Sequence, residues 1–324
     1  MVNTPGSNST GTIGSVIVVV CPGQGSQTPG FLTPWLEDPA FAAELHDISD
    51  AVGLDLVAHG TLSDADTIRD TAVAQPLIVA AGLLTLKALL ANGRRERSAG
   101  IAGHSVGEVT AAAGAGILSA SDAVRFVRER GTAMASAAAL EPTGMSAVIG
   151  ADESELLARL DELGLSPANF NGGGQIVVAG ALDSLAALAS DPPARARVIP
   201  LQVAGAFHTR YMAPAVDHLA EIARTLTVAD PTLPVWTNND GSRVTDGDRF
   251  VELLVGQVSS PVRWDLCMAS FAEAGVTGII EVAPAGALVG LAKRALKGVP
   301  SVAIKTPDDL PAAFELIDSV PAHA

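Results

Sequence analysis

The sequence predicts an α/β protein built on a mostly parallel sheet, and three observations lead to this prediction. Residues 16–20 form a β-branched run that is apolar on both faces, as in the central strand of a parallel sheet. Short runs of this kind alternate with long stretches rich in Ala and Leu, which is the order of strands and crossover helices. Hydrophobic residues make up 48% of the 324 residues, so the chain can bury a large core.

The composition excludes several classes of protein. Acidic residues outnumber basic ones by 35 to 20, and the net charge of −15 argues against nonspecific nucleic-acid binding. The two cysteines, Cys21 and Cys267, cannot form a disulfide framework, and the start of the chain lacks the pattern of a secretion signal. No apolar run approaches the roughly 20 residues that span a bilayer. We therefore expect a soluble, cytoplasmic protein, and a monomer.

The larger part of the chain carries the elements of the parallel sheet. Strands are predicted at residues 16–20, 99–102, 235–237 and 278–282. Helices are predicted between them at residues 77–90, 108–115 and 121–139. Residues 1–13, rich in Gly, Ser, Thr and Asn, are expected to be a disordered lead-in, and residues 309–324 a tail. These elements assign residues 14–139 and 205–308 to one discontinuous α/β domain.

The middle of the chain has a different order of elements. Its predicted elements are a strand at 146–150, a helix at 153–163, strands at 168–170 and 175–179, a helix at 182–189 and a strand at 197–203. The order β-α-β-β-α-β is that of the ferredoxin-like unit. The sequence therefore predicts a small domain near residues 140–204, inserted into the α/β domain.

A G-x-S-x-G pattern at residues 103–107 lies between a predicted strand and a predicted helix. A sharp strand-to-helix turn exposes the hydroxyl of its serine, and the helix N-terminus offers free N–H groups where an oxyanion would form. The pattern alone also fits an ordinary glycine-rich turn. In its strand and helix context, it predicts that Ser105 is a nucleophile.

A serine nucleophile needs a general base, and His208 is the best candidate. It follows the predicted small domain directly, at a junction where a cleft can form. His104 adjoins Ser105, and consecutive side chains diverge, so it is a poor base. The remaining histidines are His46, His59, His218 and His323. No acid stands out as a third member, and more than 100 residues follow His208, an order that argues against an ordinary esterase.

An arginine falls on the apolar stripe of the helix predicted at 121–139. Ala123, Val127, Arg130 and Met134 share one face at helical spacing. A buried guanidinium must find an anion. Arg130 is therefore either half of a structural ion pair, a side chain that reaches back to solvent, or a fork that grips a substrate carboxylate.

With these residues identified, the sequence resembles malonyl-CoA:acyl carrier protein transacylases and the acyltransferase domains of polyketide synthases, over about residues 16–305. The motifs that carry the resemblance are Pro22-Gly23-Gln24-Gly25-Ser26-Gln27, Gly103-His104-Ser105-Val106-Gly107-Glu108, Arg130 with Met134, Gly205-Ala206-Phe207-His208, Gln257 before Pro261-Val262, and Glu281-Val282-Ala283-Pro284-Ala285-Gly286. The fold implied is a hydrolase-like α/β core with a ferredoxin-like insert.

The resemblance also implies a role for each site residue. Ser105 would attack the malonyl thioester and His208 would take its proton, while Arg130 would hold the malonyl carboxylate. The backbone N–H groups of Gln24 and Val106 would form the oxyanion hole, and the backbone carbonyl of Gln257 would orient the histidine. Met134, Asn171 and Phe207 would contact the substrate. Without the resemblance, Gln257 would be an ordinary residue at a helix end. In the related polyketide synthase domains Ala-Phe-His accompanies malonyl, so the resemblance implies that Phe207 favours malonyl over methylmalonyl.

The partners implied are malonyl-CoA and an acyl carrier protein, and no Cys/His cluster suggests a metal or redox cofactor. Carrier proteins of this kind are acidic, so docking would need a basic patch. The candidates are Arg94, Arg95 and Arg97 in one cluster and Lys293, Arg294 and Lys297 in another. The alternatives are a serine thioesterase or esterase, an acyltransferase for another extender unit, and a non-catalytic binding module.

Overall fold

The computed structural model describes residues 16–320, so the predicted lead-in and His323 lie outside the described residues. The strands are β1 (Ile17–Cys21), β2 (Ser98–Gly103), β3 (Thr143–Ile149), β4 (Ser166–Gly172), β5 (Gln175–Ala181), β6 (Arg197–Pro200), β7 (Val235–Trp236), β8 (Arg243–Val244), β9 (Val262–Arg263), β10 (Gly278–Glu281) and β11 (Ser301–Ala303). The α-helices are α1 (Pro39–Val52), α2 (Leu56–Thr61), α3 (Thr71–Leu89), α4 (Gly107–Ala115), α5 (Ala120–Ala138), α6 (Glu153–Leu163), α7 (Leu182–Ser190), α8 (Ala213–Ala223), α9 (Gly247–Gln257), α10 (Trp264–Glu273), α11 (Ala287–Ala295) and α12 (Leu310–Asp318).

The larger sheet has six strands in the order β11-β10-β1-β2-β7-β8. All its pairs are parallel except β7 with β8. Every residue of β1 is buried, with β10 on one side and β2 on the other. A strand covered on both faces must be apolar throughout, which is why its run of β-branched residues marked the centre of the sheet. The parallel α/β core predicted from the sequence is thereby confirmed.

The smaller sheet has the order β6-β3-β5-β4-β9, and its first four strands form the predicted β-α-β-β-α-β unit with α6 and α7. Its antiparallel pairs join β3 to both β5 and β6, and β4 to β5. The fifth strand, β9, comes from the other part of the chain and pairs with β4 in parallel. Two residues carry no strand pattern, so the sequence did not predict β9. The last strand ends at Pro200 rather than at residue 203.

Helix α3 begins six residues before its predicted start, and it continues through Pro76. A proline inside a helix removes one backbone hydrogen bond, here the one to the carbonyl of Ala72. The Asp70 carboxylate caps the helix by accepting from the N–H of Ala72, and Arg128 donates to the Ala72 carbonyl at 3.4 Å. A guanidinium from α5 thus replaces the missing donor, which is a tertiary contact that the sequence does not show.

Among residues 16–320, α3 is the one helix long and apolar enough to cross a membrane by length and composition. This corrects the expectation that no apolar segment reaches that length. Within the protein, 72% of its most apolar window is buried, as expected for a core helix packed on α5. The segment predicted as a tail contains α12, whose Ala313 and Ile317 are buried against the core.

Candidate active site

The turn between β2 and α4 holds Ser105 in a strained conformation, with a φ of 53°. A residue with a side chain rarely adopts this left-handed geometry, and it persists where the surroundings enforce it. A Cβ on Gly103 would meet the backbone of Gly107, and a Cβ on Gly107 would meet the carbonyl of Cys21 at the end of β1. The two glycines of the motif therefore permit the turn to pack against the sheet.

His208 lies directly against the serine. Ser105 Oγ and His208 Nε2 are 2.6 Å apart, and His208 Nδ1 lies 2.8 Å from the backbone carbonyl of Gln257. Because a carbonyl only accepts, the proton must be on Nδ1, which leaves Nε2 free to accept from the serine hydroxyl. His208 also has a positive φ of 61°, so the backbone on both sides of this contact is strained.

Burial keeps the His208 imidazole neutral. Desolvation is the largest influence on it and the positive charge of Arg130 the second, and together they lower the pKa of His208 to about 3. The hydrogen bond to the Gln257 carbonyl acts in the opposite direction, but it is the weaker influence. A neutral imidazole that faces a serine hydroxyl can act as a general base.

A cavity of about 510 Å³ opens beside Ser105, between the two sheets. The small sheet contributes Met145, Ala147 and Val177 to its wall, and α11 contributes Leu288 and Arg294. The residues selected from the sequence that line it are Gln24, Ser105, Val106, Met134, Asn171, Phe207 and His208. Arg130 and Gln257 do not line it and lie behind its wall. Most of the lining surface is apolar, so a bound group would be shielded from water.

Two backbone N–H groups beside Ser105 are free to bind an oxyanion. In the described part of the chain, neither the N–H of Gln24 nor that of Val106 has a backbone or side-chain acceptor. Val106 immediately precedes α4, so its N–H also lies at the positive end of the helix dipole. The Gln24 side chain is held by the backbone carbonyl of Arg69, 3.1 Å from its Nε2 atom.

The guanidinium of Arg130 is fully buried and is held by two glutamine side chains. Its two terminal nitrogens donate to Gln75 Oε1 and to Gln257 Oε1, each at 2.7 Å. Its Nε–H has no partner among residues 16–320. Gln75 lies on α3 and lines the cavity, so it separates Arg130 from the cavity space. The sequence did not single out Gln75, although a glutamine inside so apolar a helix was a signal.

Gln257 connects Arg130 to a buried carboxylate, that of Glu108. Its Nε2 atom lies 2.5 Å from Glu108 Oε2 and 3.1 Å from the carbonyl of Ser105. The second oxygen of Glu108 accepts from the backbone N–H of Asn238 at 2.6 Å. Desolvation raises the pKa of Glu108 to about 7 and lowers that of Arg130 to about 10. Glu108 was noted only as the end of a motif.

His104 and His218 have partners other than Ser105. His104 Nε2 lies 2.9 Å from Asn171 Oδ1, so this ring points to the small sheet and away from Ser105. Asn171 also donates to Gln175 Oε1, 3.2 Å away. His218 pairs with Glu129 on the protein surface. Within the described ranges, no three His, Cys, Asp or Glu side chains converge as metal ligands would.

Comparison with known proteins identifies the family of the chain. Residues 18–307 match the family model described as the acyl transferase domain. A malonyl CoA-acyl carrier protein transacylase of Mycobacterium bovis is 53% identical over 299 residues, which cover 91% of this chain and 98% of the relative. A protein of the same name from Escherichia coli K12 is 34% identical over 304 residues, with 92% and 98% covered.

Solved structures show the same fold. The crystal structure of MCAT from Mycobacterium tuberculosis superposes with a TM-score of 0.89 at 51% identity, covering 92% of this chain and 99% of that one. A malonyl-transacylase solved in complex with its type II polyketide synthase acyl-carrier protein gives 0.86 at 30% identity, covering 93% and 99%. With a matching family model over nearly the whole described chain and relatives above 50% identity, this chain belongs to the acyl transferase family.

Proposed function

We propose that this protein transfers the malonyl group of malonyl-CoA to the phosphopantetheine thiol of an acyl carrier protein, for fatty acid or polyketide synthesis. The observation that carries the proposal is the 2.6 Å contact of Ser105 Oγ with His208 Nε2, in an apolar cavity backed by the buried Arg130. The names of the relatives support the same donor and acceptor.

The first half of the reaction forms an acyl-enzyme. Ser105 Oγ attacks the thioester carbonyl as His208 Nε2 takes its proton, and the resulting oxyanion accepts hydrogen bonds from the N–H groups of Gln24 and Val106. Collapse of this intermediate breaks the carbon–sulfur bond. The imidazolium returns its proton to the sulfur, so CoA leaves as a thiol and malonyl remains on Ser105.

The second half runs the same chemistry with a different thiol. His208 takes the proton of the phosphopantetheine thiol, whose sulfur attacks the seryl ester, and the same two N–H groups hold the oxyanion. The ester bond then breaks, and the imidazolium protonates Ser105 Oγ. Because the Gln257 carbonyl fixes the tautomer of His208, it takes the place of the acid in a Ser-His-Asp triad.

Arg130 supplies the preference for malonyl. Its Nε–H lacks a partner among the described residues, and a terminal N–H beside it can complete a bidentate contact with a carboxylate. An acyl group without a carboxylate leaves this donor unpaired in a dry site, which disfavours acetyl. Since Gln75 stands between Arg130 and the cavity, its side chain must move aside for the carboxylate. Phe207 and Met134 line the same space and limit its size.

The structure distinguishes the two basic clusters proposed for docking of the carrier protein. In the first, Arg94 forms a bidentate pair with Asp318, and Arg97 donates to backbone carbonyls at the end of α12. These side chains hold the C-terminal helix. In the second, Arg294 lines the cavity and has no carboxylate within 4 Å among residues 16–320. Arg294 can therefore meet an acidic partner at the cavity entrance.

The experiment that tests the proposal is intact-protein mass spectrometry after mixing with malonyl-CoA. The wild type should gain one malonyl group, acetyl-CoA should give little adduct, and Ser105→Ala should give none. Arg130→Ala should lose malonyl acylation by ~100-fold or more, because the carboxylate would then be buried without its partner. Release of CoA without a trapped adduct would instead favour a thioesterase, and neither adduct nor release would contradict the proposal.

A further inference from the structure

Glu108 has no role in the reaction described above, yet its carboxylate is buried at the centre of the site. It lies in the first turn of α4, three residues after the nucleophile, and is 1% exposed. A carboxylate in this position costs free energy unless each oxygen is well paired. Its oxygens accept from the Asn238 backbone N–H and from the Gln257 side chain.

The contacts of the Gln257 amide fix which way it points. Its Nε2 atom faces three oxygens, those of Glu108, the Ser105 carbonyl and the Asn238 side chain, at 2.5, 3.1 and 3.2 Å. Its Oε1 atom faces only the Arg130 guanidinium. A flipped amide would set nitrogen against the guanidinium and oxygen against both the Glu108 carboxylate and the Ser105 carbonyl, so Glu108 adds to the contacts that hold the orientation in which Arg130 finds an acceptor.

Side chain and main chain of Gln257 serve different groups. The side chain reaches Arg130, whereas the backbone carbonyl accepts from His208. The carbonyl is at the end of α9 and is placed by the helix, so it does not depend on the amide. A change at Glu108 should therefore reach Arg130 and leave His208 in place.

We propose that Glu108 is a positioning residue for recognition of the substrate carboxylate, acting through the Gln257 side chain on Arg130. This inference rests on the proposed function, since it takes the malonyl carboxylate as the ligand of Arg130. Within the described chain, the negative charge of Glu108 also raises the pKa of Arg130 and so opposes the effect of burial. It balances the guanidinium while the site is empty and holds it in the orientation that the substrate meets.

The test is a double-mutant cycle with Glu108→Gln and Gln257→Met. Glu108→Gln keeps the volume but must place an NH2 group against one of two donors, and Gln257→Met removes the amide while the backbone carbonyl stays. Each single variant should lower the second-order rate of malonyl acylation by ~10- to 100-fold, as expected for a lost hydrogen bond to a charged group. The loss should come mainly from a higher half-saturating concentration of malonyl-CoA.

The acylation rate of the double variant should be no more than about threefold below that of the slower single variant, because both changes break one chain of contacts. Losses that multiply would show that Glu108 acts independently of Gln257 and would overturn the proposal. A Gln257→Met enzyme that keeps its affinity for malonyl-CoA would also overturn the proposal. This result can be obtained even if the Glu108→Gln variant does not fold.

A second probe separates positioning from damage to the turn. Phenylmethylsulfonyl fluoride is uncharged and makes no use of Arg130, so in each variant the loss in its rate of reaction with Ser105 should be smaller, by about threefold or more, than the loss in the rate of malonyl acylation. An equal loss with both reagents would mean that Glu108 only supports the fold. Glu281→Gln, at a buried carboxylate that accepts from N–H groups at the start of α11, is the matched control and should leave the ratio of the two rates unchanged. A wild type that reacts with the fluoride but takes no malonyl would contradict the proposed function itself.

Discussion

The strands on either side of β1 lead into two turns that are built from similar parts and used differently. Strand β2 leads through Ser105 into α4, and β10 leads through residues 282–286 into α11. One buried carboxylate lies next to each turn, Glu108 in the first turn of α4 and Glu281 at the end of β10. Glu281 accepts from three N–H groups at the start of α11, the helix that follows its strand. Glu108 instead turns away from its helix end, toward Asn238 and Gln257.

The difference shows that the positive end of a helix can serve one anion at a time. At α11 the protein's own carboxylate fills it, and the helix is anchored to the sheet. At α4 the N–H of Val106, next to Ser105, has no acceptor among residues 16–320, and we propose that a transient oxyanion binds there. We therefore expect the first arrangement to add stability and the second to give up some stability for catalysis. Burial raises the pKa of both carboxyl groups, and hydrogen bonds counter it at both, from backbone N–H groups at the start of α11 for Glu281 and from the Asn238 N–H and the Gln257 side chain for Glu108.

The largest expected effect on activity comes from adding one methyl group at the start of α4, and the same addition inside α11 is the comparison. Gly107→Ala places a Cβ against the carbonyl of Cys21, so the turn must move, and acylation of Ser105 should fall by ~100-fold or more. Gly290→Ala, inside α11, places its Cβ in open space and should raise the free energy of unfolding by about 0.5–1 kcal/mol. Acylation rates and urea denaturation of both variants measure this. An active Gly107→Ala enzyme would contradict the role of the close packing.

Glu281→Gln tests the stabilising turn. The amide cannot accept from all three N–H groups, so the free energy of unfolding should fall by about 1–3 kcal/mol. Activity per folded molecule should remain within about threefold of wild type, because Glu281 contacts no residue of the Ser105–His208 pair. Thermal melts and active-site titration give the two values. A large loss of activity without a loss of stability would show that Glu281 serves catalysis rather than stability.

The pH dependence of Ser105 reactivity tests the burial of His208. Because the pKa of His208 is lowered to about 3, the imidazole stays neutral and competent as a base throughout the range in which an ordinary histidine becomes protonated. The rate with the uncharged fluoride should therefore show no loss centred near pH 6.5 between pH 8 and 5.5. A half-maximal point near 6.5 would mean that His208 is solvated like a surface histidine.

The smallest expected effect concerns the far end of α11, where Arg294 lies at the cavity. Arg294→Glu should raise KM for the carrier protein by about 3- to 10-fold with little change for malonyl-CoA, and the effect should fade at high salt. Arg94→Gln should leave that KM unchanged and lower stability by about 0.5–1 kcal/mol, because its partner is Asp318. Transfer assays with the two variants at two salt concentrations distinguish the clusters. Equal KM values would exclude docking at α11.

Much of the site was predictable because its chemistry leaves local patterns. The turn at Ser105 requires small residues on both sides, so a glycine pattern between a strand and a helix identifies it. His208 was found from its place at the junction of two predicted domains. Arg130 was marked by its position on an apolar stripe, but the stripe did not show that Gln75 lies between it and the cavity.

Other parts of the site left no local pattern. A single glutamine in α3 and a glutamate at the end of a motif look like ordinary residues until their partners are known. The contact of Gln257 with Glu108 joins positions 149 residues apart, and no period or spacing encodes such a pair. The same holds for β9, whose two residues become a strand only by pairing with β4.

The sequence alone determined the alternation of strands and helices and the inserted unit, and it predicted the nucleophile, because hydrophobic periodicity and turn chemistry act over a few residues. Tertiary structure decided which buried polar groups face one another. It set the 2.6 Å contact of Ser105 with His208, the lowered pKa of that imidazole and the different hydrogen-bond partners of Glu108 and Glu281. These properties depend on distances and burial between segments far apart in the chain, and only the folded protein fixes them.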